Sequence, residues 1–399
     1  MRSLRSKGSL SIGSTSFPSL FWSAGGGVDN PSTLHIGNLA EGGGLERYFR
    51  ELVCRLSRGD GGALGMVLGR DNVDNAFLAF AAPHDPLPER LYKMRRVFLR
   101  ARKAFPVDGV VAHFPLYAFP ILHRLDIPLL VHFHGPWAEE SLWEGGRGVS
   151  TWMKRQIEQW VYRRAEHFIV LSEAFGELLQ RLHGVPDRRL SVIPGGVDME
   201  RFRALPPREE ARRALGWPLD RPILFTVRRL VPRMGLENLI HAMERIKRVY
   251  PDAWLAVAGR GPLGHTLAKR VHERGLEGHV FLEGYLSEKR LALAYRAADL
   301  CVVPSSALEG FGLVAAESLA AGTPVLVTPV GGLPEVVGGL APELVLSGTD
   351  GDALADGIIE ALRGERVLPS ASDCRRHAWS FDWEQVIPKL HRVYQGVVG

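Results

Sequence analysis

The chain has 399 residues, 46% hydrophobic and 23% charged, with a formal net charge of +5. That is material for two globular domains at roughly 100–200 residues each, and no apolar run reaches the ~20 residues of a membrane span. Three cysteines without paired spacing, Cys54, Cys301 and Cys374, argue against a disulfide framework or a zinc site and suit a reducing, cytoplasmic setting. The modest positive charge comes with no nucleic-acid motif, which speaks against a DNA or RNA partner.

Residues 1–30 are rich in Ser and Gly, carry Arg2, Arg5 and Lys7, and have no acid before Asp29. No apolar segment follows the basic start, so the expectation is a disordered tail, with a transit-like segment as the alternative. From residue 33 short apolar strands alternate with helical stretches. Leu34–Leu39, Ala63–Leu68, Gly109–Ala112, Leu129–His134, His167–Val170 and Leu190–Ile193 read as strands. Leu45–Ser57, Glu89–Ala104, Val149–Arg164 and Glu173–Leu182 read as helices between them. In the Glu89 helix, Leu91, Met94, Phe98, Ala101 and Phe105 form one stripe, and seven arginines and lysines cover the rest. It reads as a core-packed helix with a solvated basic face; a peripheral seat on an anionic membrane is the sharper alternative.

The Pro- and Gly-rich segment Pro194–Arg221 reads as an interdomain connection. A second series follows: strands at Ile223–Val227, Trp254–Ala258, His279–Leu282, Leu300–Val303, Pro324–Val327 and Leu344–Leu346, with helices between. Strands alternating with helices of this length make parallel sheets covered on both faces. The expected fold is therefore α/β, two doubly wound Rossmann-like domains facing across a cleft, at 31–205 and 206–375. A last amphipathic helix in 376–399, entered through Trp379, Phe381 and Trp383, is expected to pack back toward the first domain. Ligands of such sheets bind beyond the strand carboxyl ends, where strand order reverses.

The most informative stretch is Glu309-Gly310-Phe311-Gly312-Leu313-Val314-Ala315-Ala316-Glu317. Glu309 falls in a loop at a helix mouth, and Glu317 inside the helix, which stops at Gly322-Thr323-Pro324. Glu317 shares its face with Leu313, Ala316 and Ala320. A carboxylate on an apolar stripe is costly unless hydrogen-bonded. Vicinal ribose hydroxyls would satisfy it, and the unpaired N–H groups of the helix mouth beside Glu309 suit a phosphate.

Other candidates lie at strand ends. Arg229, in Arg228-Arg229-Leu230, follows the strand Ile223–Val227 and is placed to neutralise a diphosphate. Gly43 and Gly44, after the first strand, permit close backbone approach to a ligand. Glu46 either stabilises its own helix dipole or meets an acceptor. His132 and His134 alternate on one strand and share a face. No third metal ligand has a readable spacing, so His134 is expected as a hydrogen-bonding group at the cleft, His132 as structural and His113 as a weaker candidate. Gly259-Arg260-Gly261-Pro262-Leu263-Gly264 fits a dinucleotide fingerprint, with Glu283 about twenty residues on. It follows the second strand of its domain rather than the first, and Arg260 crowds the turn.

Taken together, residues 33 onward resemble the family-4 retaining glycosyltransferases of the GT-B fold. The resemblance rests on Glu309–Glu317, Gly322-Thr323-Pro324-Val325, Gly331-Gly332-Leu333-Pro334-Glu335, Val192-Ile193-Pro194-Gly195-Gly196-Val197-Asp198, Gly259–Pro262, Gly284 and the Trp379–Trp383 region. It implies a nucleotide diphosphate sugar as donor and a glycan or lipid-linked saccharide as acceptor, with no metal and no further cofactor. Glu309 would contact the donor sugar, Glu317 the ribose, and the N–H groups near Phe311, Gly312 and Leu313 the diphosphate. Arg229 would stabilise the leaving group, His134 would touch the transferred sugar, and Gly43 and Gly44 would line the diphosphate. Two residues depart from the family pattern at the phosphate loop: Arg228 stands at the usual glycine and Met234 at the usual lysine, so Arg228 or Arg233 is expected to supply the missing charge. Gly195 stands where the family commonly has asparagine. The open alternatives are a nucleotide-sugar epimerase, an NAD-dependent oxidoreductase using Gly259, Gly261 and Glu283, and a non-catalytic nucleotide-sugar-binding protein.

Overall fold

The structure, a computed structural model, describes residues 30–39, 43–58, 62–69 and 76–399. The tail expected up to residue 30 lies outside them but for its last residue, as does Gly42, the glycine that precedes Gly43.

Among the described residues, seven parallel strands form the first sheet: β1 (Thr33–Asn38), β2 (Ala63–Leu68), β3 (Phe77–Ala81), β4 (Gly109–Ala112), β5 (Leu129–Phe133), β6 (His167–Val170) and β7 (Leu190–Val192), in the order β3-β2-β1-β4-β5-β6-β7. Five form the second: β8 (Ile223–Val227), β9 (Trp254–Ala258), β10 (Val280–Gly284), β11 (Leu300–Val303) and β12 (Val325–Val327), in the order β10-β9-β8-β11-β12. Helices cover both faces, so β2 and β9 are buried along their whole length. That explains why they read as unbroken apolar runs rather than alternating ones.

Two strand expectations needed correction. Phe77–Ala81, unassigned from sequence, is the edge strand β3 and pairs with β2. Leu344–Leu346 is not a strand: Pro342 opens a 3-10 turn through Leu344, and only a single bridge, Val327 to Val345, continues the sheet. Proline fixes φ and has no N–H for a ladder, so pairing stops there. The basic helix spans Leu87–Ala104 and turns Met94, Phe98 and Ala101 into the core.

Strand order reverses between β1 and β4 in the first sheet and between β8 and β11 in the second. These reversals place the loops after β4, β8 and β11, and the helix Gly44–Ser57 that follows β1, where the two sheets meet. The last helix, Trp383–Val398, begins on Asp382, whose carboxylate accepts from the Glu384 N–H at 2.7 Å and the Met199 N–H at 3.1 Å. Its Trp383 ring covers Gly196 and packs 5.1 Å from the Tyr48 ring, and Tyr394 stands edge-on to His35. The helix thus lies against the first sheet, and a side chain at Gly196 would collide with Trp383.

Candidate functional site

The C-terminal wall of the cleft is built by the loop between β11 and the helix Leu313–Ala320. Leu308 adopts φ 52°, the one positive φ at a non-glycine among the described residues, and Gly312 caps the helix at φ 92°. Backbone held in this region costs of order 1–3 kcal/mol unless its surroundings impose it. Arg233 supplies part of that restraint by donating to the Leu308 carbonyl at 3.1 Å.

Glu309 follows directly. Its Oε2 accepts from Arg228 Nη2 and, at 2.9 Å, from Ser305 Oγ. The same Arg228 nitrogen donates to Ser305 Oγ at 2.6 Å and lies 2.7 Å from the Met234 sulfur. Burial pushes the Glu309 carboxyl upward, but Arg228, Ser305 and Arg233 outweigh it and hold the group below the usual carboxylate range. It is a buried anion with its cations in place.

Glu317 is buried on the inner face of the helix. Tyr295 donates to its Oε2 at 2.9 Å, and its Oε1 is paired with Arg47 and lies 3.6 Å from Arg201. Arg47 comes from the helix Gly44–Ser57 of the opposite domain. In this conformation, then, protein groups alone satisfy the carboxylate. The residue borders a narrow pocket between the domains, lined also by Tyr48, Asp198, Leu313 and Trp383. A ribose can reach Glu317 only if Arg47 swings aside.

Further pairs close the cleft. Arg233 meets Glu140 at 3.0 Å, Arg229 meets Glu144 at 3.2 Å and Arg50 meets Glu288 at 2.7 Å. Ser172 Oγ donates to the Gly310 carbonyl at 2.6 Å, and the amides of Glu173 and Ala174 both donate to Glu335 at 2.9 Å. Glu335 therefore caps a helix of the other domain, where an acid favours the positive end of the dipole.

The N-terminal wall carries a row of imidazoles from β1, β4 and β5. His35 Nδ1 lies 3.1 Å from His113 Nε2, and His113 Nδ1 lies 2.9 Å from His134 Nε2. His132 is buried beneath Tyr48, whose hydroxyl lies 3.3 Å from its Nε2. Burial pushes His134 and His35 down to about 3, and burial with the neighbouring rings lowers His113 and His132 well below the ordinary histidine value.

The structure brings Glu309, Glu317, Arg228, Arg233, Phe311, Gly312 and Leu313 into one wall, with His134 opposite: its carbonyl lies over the Gly310 turn. Three expectations change. Arg229 is half exposed and turned toward Glu144, while Arg228 holds the inner position, its guanidinium at the end of the Met234 side chain. The Glu46 carboxylate accepts from the Gly43 N–H and caps its own helix instead of facing an acceptor. The glycines of the apparent dinucleotide fingerprint serve packing. A Cβ on Gly259 or Gly261 would overlap the carbonyl of Arg228 or Leu230, and Glu283 accepts from Trp217 Nε1 at 3.0 Å. Gly44 is exposed, and a Cβ there would meet none of the described residues within 4 Å.

Arg47, Arg201, Tyr295, Ser305, Glu140 and Glu144 went unread in the sequence. Each completes a contact with a residue far along the chain; 270 positions separate Arg47 from Glu317. No local pattern marks such a pair.

The comparisons agree with this architecture. Residues 207–379 match the glycosyl transferases group 1, and residues 42–201 match Glycosyltransferase Family 4. The chain belongs to the family-4 glycosyltransferases of the GT-B fold. It is 35% identical over 263 residues to the D-inositol 3-phosphate glycosyltransferases of Mycobacterium tuberculosis H37Rv and Mycobacterium bovis AF2122/97, a match covering 64% of this chain and 53% of each relative. The chain thus spans about half the length of the curated relatives it matches. Among solved structures it superposes on sucrose-phosphate synthase from Thermosynechococcus elongatus with TM-score 0.78 at 23% identity, covering 92% of this chain and 99% of that one. It superposes on Anabaena HepE, solved in complex with UDP and glucose, with TM-score 0.75 at 19% identity, covering 92% and 100%. No helix among the described residues is long and apolar enough to cross a membrane.

Proposed function

We propose that this protein transfers a sugar from a nucleotide diphosphate sugar to an acceptor hydroxyl with retention of anomeric configuration, without a metal in the transfer step. The observation that carries the reading is the ionised Glu309 beside the first turn of the Leu313 helix, with Arg228 and Arg233 converging on the same loop. The first amides of a helix have no partner within it, and with two guanidinium groups nearby they suit a diphosphate. The bond from the anomeric carbon to the phosphate oxygen breaks, the bond to the acceptor oxygen forms on the same face, and the acceptor proton passes to the leaving phosphate oxygen. Arg228 supplies, from the strand end, the charge that Met234 lacks; Arg229 takes the outer position. Glu317 receives the ribose hydroxyls once Arg47 has moved. Arg260, whose guanidinium lies 5.1 Å from the exposed Tyr285 ring, offers a platform for the base. His134 contacts the transferred sugar.

A uridine nucleotide is the first donor to test, on the likeness to the HepE complex with UDP-glucose. The acceptor is a sugar or polyol hydroxyl, free or lipid-linked. A lipid-linked acceptor would be met through the helix Val149–Arg164, which turns apolar side chains to solvent: Val149 is 72% exposed, Trp152 61% and Met153 52%, with Trp160 further along and the exposed Arg163 beside it. Indole rings beside arginines suit an anionic membrane interface. This helix, rather than the basic Leu87–Ala104 helix, is the peripheral contact. The deciding experiment incubates the chain with UDP-, GDP- and ADP-sugars and glycan or polyol acceptors, and reads the product anomer by NMR. Epimerised donor without acceptor, or cofactor reduction, would move the assignment to another class. Absence of both transfer and hydrolysis at high enzyme concentration, with nucleotide bound, would make it a binding protein.

A further inference from the structure

The histidines of the N-terminal wall outnumber any sugar contact, and most of them are buried beyond a donor's reach. His132 and His134 come from β5 and share a face by strand alternation. His113 follows β4, which pairs directly with β5. One nitrogen from each of His113, His132 and His134 can be chosen so that all three lie within 4.8 Å of one another. The Nδ1 atom of His132 is buried without a hydrogen-bond partner among the described residues.

The geometry points to a divalent transition-metal site formed by His113, His132 and His134, with its fourth position open toward the cleft. Imidazole is a good ligand for zinc and cobalt, and three protein nitrogens with one open position is an established coordination pattern for such ions. An ion about 2.0–2.1 Å from each nitrogen holds neighbouring nitrogens roughly 3.3 Å apart. The His113–His134 pair is already at 2.9 Å, so it opens slightly while His132 turns inward.

The outer shell is also built. With His113 binding through Nδ1, its Nε2–H donates to His35 Nδ1 at 3.1 Å, and His35 Nε2–H donates to Thr33 Oγ1 at 3.0 Å. Such a relay fixes the tautomer that coordination needs and aims the ring. Tyr48 orders the other side, standing edge-on to both His132 and His134. The site rests on the histidines alone and not on the reaction assigned above. Under that reading an ion on His134 excludes the sugar, so metal would inhibit transfer rather than support it.

The test uses the full chain without a polyhistidine tag, stripped by chelator and titrated with Co²⁺. One equivalent is expected to give the intense visible bands of a four-coordinate cobalt site, displaced by one equivalent of Zn²⁺. His113→Gln and His132→Gln should each abolish the bands, and His134→Gln should weaken binding at least tenfold. His272→Gln, on the exposed surface, should leave the bands unchanged. His134 lies at the rim of the cluster, so its variant decides the matter should the two deeper ones unfold. Absence of four-coordinate bands from the wild-type chain at stoichiometric cobalt overturns the proposal, and so does a spectrum that survives His134→Gln. The wild-type spectrum is independent of any sugar-transfer assay, so an inactive chain with a cobalt site, or the reverse, separates this inference from the functional one.

Discussion

The two sides of the cleft both draw ionisable groups out of water and treat them in opposite ways. On the C-terminal wall, Glu309 lies against Arg228 and Ser305, so burial loses and the carboxyl is held low. On the N-terminal wall, burial wins. Behind that wall, Glu158, on the helix Val149–Arg164 that packs against the helix Trp137–Trp143, is pushed up to about 7 by burial, against the lowering pull of the Trp137 and Ala138 amides, and its Oε1 has no partner among the described residues. Glu140 is raised too, by burial first, despite the cation of Arg233. Desolvation is common to both walls; what differs is whether the cations and hydroxyls facing the buried group outweigh it, as Arg228 with Ser305 does at Glu309 and Arg233 alone does not at Glu140. The charged wall suits a diphosphate and a developing cationic sugar, and the neutral wall suits hydroxyls or a metal ion.

The strongest way to break this contrast is Arg228→Ala. It leaves Glu309 buried and without its main cation, for an expected destabilisation of about 3 kcal/mol in denaturant melts, the usual scale for a severed buried pair. Turnover with the cognate donor should fall by roughly 10²–10³-fold. Unchanged turnover in Arg228→Ala with loss in Arg233→Ala would shift the phosphate role to Arg233.

Glu158→Gln probes the other wall. The folded carboxyl has a raised pKa, so the folded state binds the proton more tightly than the unfolded chain. The group's favourable contribution is complete below the ordinary carboxylate value near ~4.3 and is lost as pH rises through about 7. The amide should therefore stabilise the protein by roughly 2–3 kcal/mol at pH 8 and change little at pH 4. Glu309 has the reverse sign: its contribution is present at neutral pH and lost as pH falls from ~4.3 through its lowered value. Equal stabilisation by Glu158→Gln at both pH values would mean the carboxyl is not held neutral.

Arg47→Ala sharpens the contrast at the domain junction. Arg47 caps Glu317 from across the cleft, and Arg201 remains as a second, longer partner. The variant should lose about 1–2 kcal/mol of stability, less than a fully severed buried pair, yet bind a nucleoside diphosphate more tightly in calorimetry because the ribose no longer displaces a guanidinium. Weaker binding would mean that Arg47 touches the nucleotide itself.

The smallest effect is expected from Trp152→Ser together with Met153→Ser on the exposed helix. Co-sedimentation with vesicles of anionic phospholipid should drop by about tenfold, from lost apolar burial of about 1–2 kcal/mol. Co-sedimentation unchanged in this variant but lost on reversing charges in the Leu87–Ala104 helix would return the contact to that basic face.

Much of this was legible in the residues. Ala63–Leu68, Trp254–Ala258 and Leu300–Val303 read as strands because parallel strands buried on both faces leave unbroken apolar runs. Glu309 and Glu317 stood out because glycines and a helix stop frame them within one short segment. The fingerprint at Gly259–Gly264 misled, because close packing against Arg228–Leu230 demands glycine as strictly as a dinucleotide would. The sequence by itself determined that two parallel sheets form and that two acids bracket a helix mouth, since both follow from local spacing. Only the tertiary structure decided that Arg228 takes the inner position from Arg229, that Arg47 guards Glu317, and that a third histidine joins His132 and His134. Those contacts depend on strand order and domain closure, which bring together groups that no spacing along the chain relates.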